Sequence, residues 1–167
     1  MNKYKKQNNY AFIDSQNLNL SIKKCGWDLD FGKFIVFLKH KYRITKAILF
    51  IGYIQENKKL YGYLKKAGYI LVYKPVLGNG NFIKVKGNVD AELVLHTMLN
   101  YKNFDKAIIV SGDGDFYCLI EQLVKDEKLL KIGIPNKKRY SALLRKFSEY
   151  HFFINHLRKK FEYKKKA

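Results

Sequence analysis

Short apolar runs alternate with longer amphipathic stretches along almost the whole chain, and no other feature limits the available folds so strongly. Tyr10–Asp14 (YAFID), Lys46–Tyr53 (KAILFIGY), Tyr69–Val76 (interrupted at Pro75), Lys106–Ser111 and Leu129–Ile134 read as buried strands. Between them, Asp30–Tyr42, Glu56–Ala67, Val89–Lys102, Asp115–Lys125 and Lys138–Glu149 read as helices. Asp30 stands where a side chain caps a helix start, and Gly68 where glycine ends one. Tyr150–Asn155 reads as a last short strand, and Leu77–Asn88 is the one long turn-rich stretch. Strands alternating with helices of this length imply parallel βαβ units, right-handed crossovers and helices on both sheet faces. The expected fold is a three-layer α/β/α domain around a central, mainly parallel sheet.

The 167 residues suit one domain, and 47% hydrophobic content is enough to fill its core, which excludes disorder as the main description. The expected layout is a domain over residues 10–155 between a basic N-terminal tail, 1–9, and a basic C-terminal tail, 156–167. No apolar run approaches the roughly 20 residues of a membrane span, and the basic, polar start does not read as a signal peptide. No membrane partner is expected. Two cysteines, Cys25 and Cys118, are too few for a disulfide framework or a cysteine-based zinc site, so a reduced, cytoplasmic setting is the expectation. The formal charge is +19, and residues 10–157 alone hold 24 basic and 13 acidic side chains. A body this basic points to a polyanion, held by phosphate neutralisation and counterion release. Its plainer alternative is a solvated, lysine-rich surface, since 29 of the 33 basic residues are lysine.

Against that background the few acids are informative by position. Asp14 closes the first strand. Asp113 and Asp115 follow the apolar run Ala107–Val110 within Ser111-Gly-Asp-Gly-Asp-Phe116. Asp90 opens the helix leading into that strand. A crossover helix runs antiparallel to the strands, so all four carboxylates fall on the carboxyl rim of the sheet, where open α/β sheets bind ligands. Clustered carboxylates resist joint ionisation, and a divalent cation with oxygen preference, Mg²⁺ or Mn²⁺, relieves that repulsion. Each acid also has a plainer role: turn residue for Asp14 and Asp113, helix cap for Asp115, helix-dipole partner for Asp90. Glu92, two positions after Asp90, belongs to a different helix face and is not enlisted.

Phe12-Ile-Asp-Ser-Gln-Asn-Leu18, Lys86-Gly-Asn-Val-Asp90 and Ser111-Gly-Asp-Gly-Asp-Phe116 resemble, in order, the three motifs of NYN domains. These form a branch of the PIN-like nuclease superfamily that includes LabA-like proteins. The resemblance runs from Tyr10 to Ile154. It implies a metal-dependent ribonuclease with strand order 3-2-1-4-5, in which Asp14, Asp90, Asp113 and Asp115 hold the metal and do the catalysis. It also implies that Asn17 orients a ligand or the backbone. Asn88 is an insertion relative to the usual Lys-Gly-Val-Asp.

RNA is the expected partner, with a homodimer left open. Ser111 is a candidate for orienting the metal ligands, or a strand-end turn residue. Lys86 is a candidate phosphate contact, or an ordinary loop lysine. The four histidines show no zinc-ligand spacing with cysteine, and neither cysteine has a nearby base. Gly78-Asn-Gly80 fits neither common phosphate-binding glycine pattern. Tyr53, Tyr61, Tyr63 and Phe82 are candidates for stacking on bases. The leading expectation is hydrolysis of RNA phosphodiesters by metal-activated water. A non-catalytic RNA-binding or protein-recruiting module is the alternative. A small-phosphoester hydrolase is disfavoured, because position 16 is Gln and not a second acid.

Overall fold

A computed structural model of the chain describes residues 7–74 and 89–165. Six strands form one sheet: β1 (Asn9–Asp14), β2 (Ile44–Gly52), β3 (Tyr69–Lys74), β4 (Ala107–Val110), β5 (Leu129–Ile134) and β6 (His151–Phe153). Their order is β3-β2-β1-β4-β5-β6, and every neighbouring pair is parallel. The expected order is therefore present, with one further strand added beyond β5. The order reverses between β1 and β4, where the crossovers leave to opposite sides and open a crevice at the carboxyl rim.

Every residue of β1 and β4 is buried, as central strands covered on both faces must be. Alternation along β1 divides the core. Tyr10 and Phe12 face one layer, with Leu93 of α4 (Asp90–Leu99) and Leu119, Ile120 and Leu123 of α5 (Tyr117–Lys125). Ala11 and Ile13 face the other. There they meet Leu18 and Ile22 of α1 (Ser15–Lys23), Phe34, Ile35 and Leu38 of α2 (Phe31–Tyr42), and Leu64 of α3 (Lys58–Ala67). Asp30 caps α2 by accepting from Lys33 N, and Gly68 ends α3 at φ +106°, where a side chain is strained.

Two segments depart from the sequence reading, and a third settles an alternative it left open. That reading places no helix between Asp14 and Asp30, yet α1 lies there. Ser15–Lys23 is mostly polar, and Leu18 and Ile22, one turn apart, suffice to seat it on the sheet. The helix expected over Lys138–Glu149 is a run of 3₁₀ turns, Ala142–Tyr150, capped by Ser141. Its buried residues, Leu144 and Phe147, are three apart, which matches three residues per turn. At the C-terminus, residues from His156 onward read as a basic tail that either extends as a helix or frays. Here α6 (Arg158–Phe161) follows a 3₁₀ turn, Phe161 is 1% exposed against Phe34, and Leu29 bridges Glu162. One aromatic anchor thus seats a segment whose charge alone reads as solvated. Among the described residues no helix is long and apolar enough to cross a membrane.

Candidate functional site

Asp14 is the last residue of β1 and also the N-cap of α1. Its Oδ1 accepts the backbone N–H of Asn17 at 3.0 Å, and its Oδ2 accepts the hydroxyl of Ser111 at 3.2 Å. The side chain is only 4% exposed. Burial, followed by the charges of Asp90 and Asp113, outweighs these two hydrogen bonds and raises its carboxyl from 3.8 to about 6.

Ser111 sits where β4 ends and is 1% exposed. While its hydroxyl donates to Asp14, its Oγ accepts the N–H of Asp113 at 3.1 Å. Asn17 makes a second tie, its Oδ1 accepting the N–H of Gly112 at 2.9 Å. The β1–α1 corner and the turn after β4 are therefore stitched together across the crevice. Asp113 is itself the N-cap of the 3₁₀ turn Gly114–Phe116, its Oδ1 accepting Asp115 N at 3.0 Å. That leaves Asp115, a helix-cap candidate by sequence, with its carboxylate exposed to solvent.

The two glycines of this turn are required by close approach. A Cβ on Gly112 would lie 3.2 Å from Cβ of Tyr140, and one on Gly114 would collide with Ser141 Oγ and lie 2.9 Å from its Cβ. The turn is further fixed by Ser141 N–H donating to Gly112 O at 2.9 Å.

Asp90, the first residue of α4, approaches from the layer that also holds α5, opposite α1. One carboxylate oxygen from each of Asp90, Asp113 and Asp115 lies within 4.8 Å of the other two. Asp14 is outside that trio and borders the same cavity of about 240 Å³, with Asn17, Ser21, Lys24, Asp90 and Asp113. Glu92 points elsewhere and pairs with Lys74 at 3.6 Å. An ion with ligand distances of about 2.1 Å holds adjacent ligands about 3 Å and opposite ones about 4.2 Å apart. Three carboxylates spread over 4.8 Å need only a small inward movement to meet that, and an all-oxygen donor set suits a hard cation. The residues fit a divalent metal.

Two further features flank the acids, and apart from Tyr63, a stacking candidate by sequence, their lining escapes the sequence reading. A cleft of about 480 Å³ on the other side of Asp113 and Asp115 is lined by Arg139, Tyr140, Ser141 and Leu143. These belong to the segment read as a helix over Lys138–Glu149, and no motif marks them. A groove of about 600 Å³ beyond α1 includes Phe31, Leu60, Tyr63 and Tyr163. Lys86, Asn88, Gly78, Gly80 and Phe82 lie outside the described residues.

The family model described as "NYN domain" matches residues 10–155. Low amplitude and bright protein LabA of Synechococcus elongatus is 27% identical over 121 residues, an alignment covering 67% of this chain and 65% of that protein. The chain thus spans a little under two thirds of the length of that relative. A crystal structure of a protein of unknown function from Vibrio parahaemolyticus superposes with TM-score 0.76 at 20% identity, covering 92% of this chain and 96% of that one, so the fold is shared.

Proposed function

The chain belongs to the NYN domain family, whose members are typically nucleases, and from that premise we propose that it is a ribonuclease dependent on Mg²⁺ or Mn²⁺. The convergence of Asp90, from the start of α4, with Asp113 and Asp115, from the turn after β4, onto one rim carries the reading. Those three would hold the ion. When bound, it lowers the pKa of a water and offsets charge on a phosphodiester. The chain's own contribution is position. Asp113 is held by its cap to Asp115 N and by Ser111, so two of the three carboxylates share one rigid turn. Asp14 adds negative charge from beneath, and its hydrogen bonds to Asn17 and Ser111 keep the crevice closed at its floor. The surrounding lysine-rich surface gathers RNA.

The test is Asp113→Asn assayed on single-stranded RNA with Mn²⁺ supplied. Cleavage is expected to disappear while RNA binding stays intact. Cleavage that persists in this variant, or in EDTA, overturns the proposal. The competing reading is a module that binds RNA through its lysine-rich surface without turnover. RNA bound by the wild-type chain in a salt-dependent way, yet uncut with Mn²⁺, would select that reading.

A further inference from the structure

We propose that the groove on the far side of α1 receives an unstacked nucleobase of the same RNA strand whose phosphodiester lies at the acidic cavity; this rests on the ribonuclease reading above. Continuity is the first reason. Gln16 and Leu20, one turn apart on α1, border both the cavity and the groove. A strand crossing the crest of α1 therefore passes from one to the other. Size is the second. About 600 Å³ lies within the range of small-ligand sites and exceeds what a phosphate alone requires.

The lining chemistry is the third reason. Phe31, Leu60, Tyr63 and Tyr163 offer apolar and aromatic faces, while Asn19 and Asn57 bring amide donors and acceptors to the margin. Flat apolar walls with amides at the edge match how unpaired bases are recognised, by stacking and by edge hydrogen bonds. Tyr63 is already set for the stack. Its hydroxyl accepts Gly32 N–H at 3.0 Å and donates to Asp30 Oδ1 at 3.3 Å, fixing the ring, which is nonetheless 45% exposed. Lys23 borders the groove and Lys24 the cavity, so a cation stands on each side of the crest for the phosphates that flank the base.

The test uses the intact chain in EDTA, so that nothing is cut, with short single-stranded RNAs carrying 2-aminopurine at each position in turn. One position is expected to change fluorescence on binding, as that base leaves its neighbours for the groove. Tyr63→Leu should abolish that response and weaken binding about tenfold, in the range for one lost base–aromatic stack. Tyr63→Phe, which keeps the ring, should retain the response. Leu60→Glu, on an exposed helix position, should remove it with the fold intact by thermal melting. No responding position, as expected if the groove instead holds an apolar segment of a protein partner, overturns the proposal. So does a Tyr63→Phe loss equal to that of Tyr63→Leu, which would place the effect in the tie to α2. Cleavage with Mn²⁺ but no base response removes the base site and leaves the nuclease; a base response without cleavage does the reverse.

Discussion

On one side of α1 a cavity of about 240 Å³ is walled by Asp14, Asp90 and Asp113; on the other a groove of about 600 Å³ is walled by Phe31, Leu60 and Tyr63. A single helix separates them, and its periodicity assigns the walls. Asn17, Ser21 and Lys24 recur at three and four residues and face the acids. Ser15, Asn19 and Lys23 recur at four and face the groove, with Gln16 and Leu20 along the crest and Leu18 and Ile22 buried beneath. The two sides also differ in character. The acidic side is bound by close backbone approach at Gly112 and Gly114, and its charges are held against their mutual repulsion. The groove side is wider and largely apolar, and a Cβ added at Gly32 would lie 3.0 Å from the Tyr63 hydroxyl on its wall. A metal site needs fixed, strained geometry, whereas an apolar wall needs only shape.

That contrast can be broken most directly at the carboxylates. Asp90→Asn and Asp115→Asn should each lower the cleavage rate on the order of a thousandfold, the several kcal/mol that metal-assisted charge stabilisation supplies. Leu60→Ser in the groove should cost no more than about tenfold, one stack's worth of binding. Rates for both sets, measured on one RNA with saturating Mn²⁺, decide it. Equal losses on the two sides would erase the distinction.

Next in size is the stability held down by Asp14. A carboxyl raised to about 6 is disfavoured as an anion in the fold, so its contribution is full below pH 4 and lost as pH rises through 6. In EDTA, Asp14→Asn should match the wild type near pH 4 and exceed it by about 3 kcal/mol above pH 7, since each tenfold change in proton affinity is worth about 1.4 kcal/mol. Asn can still cap α1. Urea unfolding at the two pH values measures the difference; a variant less stable than wild type at pH 7.5 would contradict it.

The smallest pair sets the crowded acidic turn against an exposed glycine outside both sites. Gly114→Ala forces Ser141 to move and should destabilise by about 1–3 kcal/mol. Gly62→Ala, exposed within α3 with open space around it, should stabilise by roughly 0.5–1 kcal/mol. Opposite signs in thermal melts are the expected outcome.

Much of this was legible along the chain. Apolar runs such as Ala107–Val110 are strands because each is short, bounded and buried on both faces, and glycine at 68 marks the end of α3 whatever surrounds it. Asp14, Asp90 and Asp113 could be placed on one rim from the direction of the crossovers. The sequence by itself determined the layers and the edge where acids collect, because these follow from local period and chain direction; the strand order was implied only by the resemblance to NYN domains. The tertiary structure alone decided which acids meet. Asp90, Asp113 and Asp115 converge, while Asp14 turns to Ser111, a partner 97 residues away. It also decided that a mostly polar stretch becomes α1, that Ser141 presses on Gly114, and that Phe161 pins a lysine-rich end beside the groove, where Tyr163 forms part of the wall. Those outcomes depend on contacts between distant residues, and neither periodicity nor charge carries information about which distant residue will arrive.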